Sequence, residues 1–353
     1  MSVKIEIISG LGEKAPAAIM VHVNGKRLLL DAGGPMQPDE TCDWYLDLAA
    51  DAILISHDHV DHIGSVRWLP ENIPLYCSEL VARNLPTGRQ WQALPTRGQI
   101  EIEGVRITCG QAGHSLGGVW LHLDIAGGIF YSGDFSRESL LYPFDLPPPA
   151  EVALLDASYG VYDTNQSLCR EALLERLTQA TLLPVPPSGR ALELAIWCQA
   201  NQLEWTLDPL CQGFMAQLMQ LPADLLMPGV QQQLRELTPR TWTTDDHEVD
   251  GLVRIAGNAN GVGGETGRLI SDPEYTGQVI YTGYTPAKAR ADISAGRAEW
   301  LRWNVHPRLS DLQALTRHLG ARSVTPLFCS MQQAHLWQQA LGSGFNQHPI
   351  IDI

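Results

Sequence analysis

Apolar positions in the first half of the chain fall in short runs rich in Val, Ile and Leu, at residues 18–23, 27–30, 52–55, 105–109, 120–125 and 128–131. Each run is punctuated by Gly, Asn or Asp and predicts a β-strand. The opening stretch, 1–10, also reads as a strand, because acidic Glu6 falls where a signal peptide needs an apolar segment. From about Gln166 the spacing becomes helical, over 168–177, 189–200 and 215–221; a strand at 278–281 then precedes a helix at 286–295. The last stretch returns to a helix (309–319), a strand (323–328) and a helix (332–341). A sheet-dominated first half, an α/β second unit and a closing segment that suits the first half predict an α/β protein with an inserted domain.

Composition narrows the class. The 353 residues amount to one large or two moderate domains, taking roughly 150 residues as a unit. Hydrophobic residues make up 44% and charged residues 18%, and no long uncharged apolar run occurs, which predicts a globular, cytoplasmic chain without a membrane span. Seven cysteines, an odd number with no Cys-x-x-Cys pair, support neither a disulfide framework nor a structural zinc finger. A formal charge of -15 argues against non-specific wrapping of nucleic acid. A local cationic groove or a bound metal would still allow an acidic protein to hold phosphates.

The densest chemistry is Ser56-His57-Asp58-His59-Val60-Asp61-His62, directly after the apolar run 52–55. His57, His59 and Asp61 alternate at the end of a buried strand and His62 follows from the turn. Imidazole nitrogens and carboxylate oxygens in this density suit a metal such as zinc, with ligands at about 2.0–2.2 Å. A solvated polar loop seldom concentrates such groups behind an apolar strand. Asp31, at the end of the strand Leu28-Leu29-Leu30 and before Gly33-Gly34, is a candidate to support a ligand from behind. His114, in Ala112-Gly113-His114-Ser115, and Asp134, in Tyr131-Ser132-Gly133-Asp134, are further candidates, though each alone reads as a turn residue.

An ordered HxHxDH, an isolated Gly-His, a strand followed by Gly-Asp and an early strand ending Asp-x-Gly together resemble the metallo-β-lactamase fold in its hydrolase branch. The resemblance implies an αββα sandwich. It also implies that His57, His59 and His114 bind a first metal, that Asp61 and His62 bind a second, and that Asp134 bridges them. Leu154-Leu155-Asp156-Ala157-Ser158-Tyr159-Gly160, the Pro-rich stretch 183–187 before Ser188-Gly189-Arg190-Ala191-Leu192-Glu193, the loop 257–264 and Tyr281-Thr282-Gly283-Tyr284 resemble, in order, motifs of the β-CASP nucleases. That likeness implies a metallo-β-lactamase core over 1–167 and 301–353, with a β-CASP-like α/β domain inserted over 168–300. It further implies that Asp156 is the family's motif A acid and His306 its motif B histidine.

Two departures qualify the likeness. Where the family has a second-metal histidine, this chain has Phe328, in Pro326-Leu327-Phe328-Cys329-Ser330. Cys329 or His335 would be the substitutes, although the first reads as a buried thiol and the second as a surface helical residue. The family's phosphate loop is replaced by Pro286-Ala287-Lys288-Ala289-Arg290. Ser188, Arg190, Lys288 and Arg290 are the candidate phosphate contacts.

The expected function is a metal-dependent hydrolase, a phosphodiesterase cleaving RNA or single-stranded DNA with water activated at two Zn2+ ions, Mn2+ being the alternative ion. Asp61, Asp156 and His306 carry the catalysis in this scheme. Two rivals stay open: a small-ester hydrolase acting on a lactone or thioester, and a degenerate member that only binds nucleic acid or a partner. RNA or single-stranded DNA is the expected partner, a homodimer the expected assembly if the chain self-associates, and a membrane is not expected.

Overall fold

Alternation is plainest in Val3–Ser9, where Val3, Ile5 and Ile7 are buried while Lys4 and Glu6 reach solvent, so that one face of the strand meets a core. The computed structural model describes residues 2–36, 40–243, 249–332 and 334–353. These form two units. The first takes the chain up to Arg137 with Tyr142–Asp163 and His306–Ile353; the second takes Glu138–Leu141 with Thr164–Val305.

Two sheets build the first unit. One runs in the order Ile350–Asp352, Val3–Ser9, Ala18–Val23, Lys26–Leu30, Ala52–Leu54, Leu75–Cys77, Gln92–Ala93. The other runs Ser323–Leu327, Val152–Asp156, Ile129–Tyr131, Val119–Leu123, Val105–Gln111, Gly98–Ile102. Ile5, Ile19, Val21, Leu28 and Leu54 from the first sheet join Ile107, Leu121, Leu123, Ile129 and Leu154 from the second in one continuous core. Each such side chain contributes about 1.5–3 kcal/mol of burial, and truncating one to Ala would cost about 2–5 kcal/mol. The outer face of the second sheet is covered by Leu312, Leu315 and Leu319 of helix Leu309–Leu319 and by Trp337 of helix Ala334–Leu341. The outer face of the first is covered by Ile63, Val66, Leu69 and Val81 from short helical segments. Helix, sheet, sheet and helix therefore stack as the αββα sandwich.

Strand direction places the chemistry. Lys26–Leu30, Ala52–Leu54 and Leu75–Cys77 run parallel, as do Ile129–Tyr131, Val152–Asp156 and Ser323–Leu327. The loops after their carboxyl ends are the usual position of a site in such sheets, and Asp31, His57, Asp134, Asp156 and Phe328 all stand there.

The second unit is a five-stranded parallel sheet in the order Trp205–Leu207, Val253–Ala256, Thr181–Pro184, Gln278–Tyr281, Glu299–Trp300. Leu182, Ala256, Val279 and Tyr281 pack with Leu269 and Ala289 from helices Gly264–Ser271 and Ala287–Ser294. One element starts earlier than its periodicity suggests. The helix expected over 215–221 is Pro209–Leu218, because Asp208 caps it by accepting from Cys211 N at 2.8 Å and Pro209 fits its first turn. Of the closing helix expected from 332, residue 333 lies outside the described residues and the helix is Ala334–Leu341. No helix among the described residues is long and apolar enough to cross a membrane. Six of the seven cysteines are buried and none of the seven is in a disulfide.

Candidate metal centre

The HxHxDH segment leaves the sheet after Ala52–Leu54, and its last residues wind into the short helix Val60–Ile63. Three groups of ligand atoms result, each with all of its atoms within 4.8 Å of one another: His57, His59, His114 and Asp134; Asp61, His62 and Asp134; and Asp134, Asp156 and His306. Every residue expected at the metal centre or in catalysis is thus brought into one cluster.

The first group has the dimensions of a metal site. His59 Nδ1 lies 3.1 Å from His114 Nε2, and Asp134 Oδ2 lies 3.7 Å from His57 Nε2 and 3.6 Å from His114 Nε2. Ligands at about 2.1 Å on a tetrahedral ion stand about 3.4 Å apart. His57 Nε2 is buried without a hydrogen-bond partner, and His62 Nε2 and Asp134 Oδ1, 3.2 Å apart, are buried with only each other. Buried polar atoms are seldom left so in a native chain unless something outside the protein satisfies them. These residues fit a divalent cation.

The supports behind the ligands decide which nitrogen faces inward. Asp31 is fully buried and accepts from Ser56 N at 2.6 Å, Ser56 Oγ at 2.7 Å, His62 Nδ1 at 2.7 Å and Tyr131 OH at 2.5 Å. With Nδ1 of His62 donating to Asp31, its Nε2 is turned to the cluster. The single hydroxyl proton of Ser56 is committed to Asp31, so Ser56 Oγ accepts from His57 Nδ1 at 3.0 Å, which leaves His57 Nε2 with a free lone pair. Gly133 turns the chain before Asp134 with φ +53, and a Cβ there would meet the Ser56 side chain at 2.7 Å.

Charge follows the same plan. Burial, reinforced by the neighbouring His62 and His59, holds His57 well below the usual histidine range and so in the neutral form that binds metals. Burial opposes charge on His62 too, but Asp134 and Asp31 outweigh it and hold that imidazole well above its ordinary range. Asp134, also desolvated, is held well below the carboxylate range by His62, Lys14 and His306.

Asp156 ends its strand beside this cluster. Its Oδ1 accepts from Ser158 N at 2.9 Å, and its Oδ2 from Phe135 N at 3.3 Å and from His306 Nδ1 at 2.8 Å. His306 lies edge-on to Tyr159 and retains 15% side-chain exposure, while Asp134 retains 2%. The histidine is therefore more open to solvent than the two carboxylates beside it, Asp134 and Asp156.

Sequence reasoning missed Lys14. Its Nζ lies 2.9 Å from Asp61 Oδ2 and 3.3 Å from Ser158 Oγ. Although burial opposes it, the carboxylates of Asp134, Asp61 and Asp156 hold the ammonium above the usual lysine range. Burial would also raise Asp61, yet Lys14 and His62 hold its carboxyl down to about 2. A lone lysine in a Gly-rich loop carries no signal of this; Ser56 and Tyr131 could have been found as polar strand-end residues beside Asp31.

The substitutes for Phe328 do not reach the cluster. Cys329 packs with Trp120 and Leu315 on the helix-covered face, where burial and Asp156 push its thiol up to about 12, and His335 is exposed on its helix. The candidate phosphate contacts lie in the second unit. Ser188 sits in the turn before helix Arg190–Ala200 and Arg190 packs against the backbone of Gly283. Lys288 pairs with Asp292 at 2.8 Å, and Arg290 donates to the Thr285 carbonyl at 2.6 Å.

An αββα sandwich with a His/Asp ligand row at the carboxyl ends of its strands is the metallo-β-lactamase fold. Residues 26–166 match the family model described as Beta-lactamase superfamily domain, and the chain is similar to β-CASP endoribonucleases. Endoribonuclease YSH1 of Candida glabrata is 25% identical over 244 residues, 54% of this chain and 31% of that protein. Cleavage and polyadenylation specificity factor 73 of Drosophila melanogaster is 27% identical over 230 residues, 52% and 34% of the two chains. The match spans about a third of the length of these curated relatives. A crystal structure of a protein of unknown function from Enterococcus faecalis V583 shares the fold, with a TM-score of 0.66 at 12% identity over 100% of both chains.

Proposed function

We propose that the chain is a metal-dependent phosphodiesterase acting on RNA or single-stranded DNA. The observation that carries this reading is the His57, His59, His114 and Asp134 group at ligand spacing, with the Asp156–His306 pair beside it. The likeness to YSH1 and factor 73, both named for RNA processing, supports the substrate class. In this reading residues 1–167 and 301–353 are the catalytic core and 168–300 the inserted β-CASP-like domain.

His57, His59, His114 and Asp134 would hold a divalent ion, Zn2+ or alternatively Mn2+. When bound, it supplies Lewis-acid polarisation of a phosphoryl oxygen and lowers the pKa of water. Asp31 fixes the His62 ring and, through Ser56, the His57 ring, so that ligand nitrogens need no reorganisation. His306 donates its Nδ1–H to Asp156, which orients the ring. Nε2 can then donate a proton to the leaving oxygen, a general-acid contribution of about 10²–10⁴-fold. Asp61 is the remaining carboxylate of the reacting face, and Ser188, Arg190, Lys288 and Arg290 are the proposed phosphate contacts.

The test is turnover by metal-loaded protein on end-labelled single-stranded RNA, single-stranded DNA, a lactone and a thioester, each repeated with His59→Ala. Phosphodiester cleavage lost in the variant is the expected outcome. Hydrolysis of the lactone or thioester alone would move the chain to the small-ester hydrolases, and binding of RNA without turnover would make it a degenerate member. Cytoplasmic residence belongs to the same reading, with seven cysteines outside any disulfide. A homodimer would appear in the mass of the same preparation in solution.

A further inference from the structure

We infer that the Lys14 ammonium stands in for a second cation, so that the centre takes one divalent ion, on His57, His59, His114 and Asp134. This rests on the metal-dependent reading above. The group Asp61, His62 and Asp134 offers three ligands, one of them shared with the first site. Where a further ligand would come from strand Ser323–Leu327, the chain places Phe328, which presents its ring to His62 at 5.2 Å between centroids and 73° between planes. A phenyl ring donates no lone pair to a zinc or manganese ion. It does attract an ammonium, and Lys14 Nζ lies 5.3 Å from the ring centroid.

The ammonium has the partners that a cation at this position needs. Its protons face Asp61 Oδ2 at 2.9 Å and Ser158 Oγ at 3.3 Å, with the Phe328 ring as a third, softer neighbour. A divalent ion on Asp61 would have to share that carboxylate with the Lys14 ammonium, which lies 2.9 Å from its Oδ2.

The two departures are fastened to each other. Phe328 N donates to the Gly10 carbonyl at 2.7 Å, and a Cβ on Gly10, whose φ is +96, would come 2.7 Å from the Phe328 ring. The loop that delivers Lys14 and the residue that removes a ligand therefore share one contact. Phe328 itself holds φ +61 at 1% exposure, a left-handed conformation that a bulky residue keeps only where its surroundings impose it. Lys14 is in this account a positioning residue, neutralising Asp61 beside a mononuclear site.

The test is metal content per chain by elemental mass spectrometry after loading with zinc or manganese and dialysis, on the wild type and on a Lys14→Ala, Phe328→His double variant. One ion in the wild type and two in the double variant is the expected result. Two ions in the wild type would overturn the inference and leave the metal-dependent reading standing; none would overturn both. A folded double variant that still holds one ion would refute the assignment of Lys14. Electron paramagnetic resonance of manganese-loaded wild type needs no variant: an isolated ion is expected, and an exchange-coupled pair would overturn the inference.

Discussion

Replacing Asp31 by Asn changes one atom at the back of the ligand row, and the hydrogen bonds there set the expected damage. Asp31 Oδ2 accepts from Ser56 Oγ, His62 Nδ1 and Tyr131 OH, and Oδ1 accepts from Ser56 N. An amide has one acceptor oxygen. If that oxygen takes the Oδ2 position, its NH2 faces the Ser56 N–H; in the opposite orientation it faces three donors. The first arrangement is the cheaper and leaves one buried donor unsatisfied, at about 1–3 kcal/mol. For a unit of this size that corresponds to a fall of about 2–12 °C in the unfolding midpoint. The second effect is on the metal. The amide oxygen that still accepts from Ser56 Oγ and His62 Nδ1 carries no charge, so both side chains are held less firmly and metal affinity should fall about 10–100-fold, the usual cost of losing such a support. Thermal unfolding by circular dichroism in chelator and zinc titration by calorimetry measure the two effects separately. An Asn variant with wild-type midpoint and wild-type affinity would refute the role given to Asp31.

Three further outcomes are expected. His306→Ala should slow cleavage of a natural nucleotide ester by about 10²–10⁴-fold and of an activated aryl phosphodiester far less, because a good leaving group needs little protonation; equal losses would reject the general acid. Since the Asp61 carboxyl is held down to about 2, its pairing stabilises the folded chain above about pH 4 and that contribution is lost as pH falls towards 2. Lys14→Gln in chelator should therefore cost about 1–3 kcal/mol at pH 6 and almost nothing near pH 2, and a pH-independent difference in denaturant unfolding would contradict the pairing. In the second unit, Glu193 is buried and accepts from Ser139 Oγ at 2.6 Å, Leu140 N at 2.9 Å and Trp303 Nε1 at 2.7 Å. Glu193→Ala should destabilise that unit by about 2–4 kcal/mol, and an unshifted unfolding midpoint would show these bonds to be replaceable.

The ligand row was legible because its chemistry is contiguous: His57, His59, Asp61 and His62 lie within six residues after an apolar strand, a pattern that packing does not explain. Asp31 was legible as an acid at a strand end, but its four donors were not, since Tyr131 approaches from 100 residues away. Short apolar runs disclosed the strands Ala18–Val23, Ala52–Leu54 and Ile129–Tyr131, while Leu75–Cys77, cut off by Pro74 and Ser78, and Trp205–Leu207, with Thr206 at its centre between Glu204 and Asp208, carry too little apolar pattern to detect. Lys14 was out of reach, because its meaning comes from Asp61, Ser158 and Phe328, none of them near it in sequence. The Lys288–Asp292 pair, by contrast, follows from i,i+4 spacing on a helix.

The most direct measurement of the central claim is phosphodiester turnover of chelator-stripped protein as zinc or manganese is added back in known equivalents. Turnover of labelled single-stranded RNA or DNA that rises in proportion to bound metal and levels off once the site is filled is what the account predicts. Turnover that persists without metal, or a fully loaded protein that cleaves neither polymer, would contradict it.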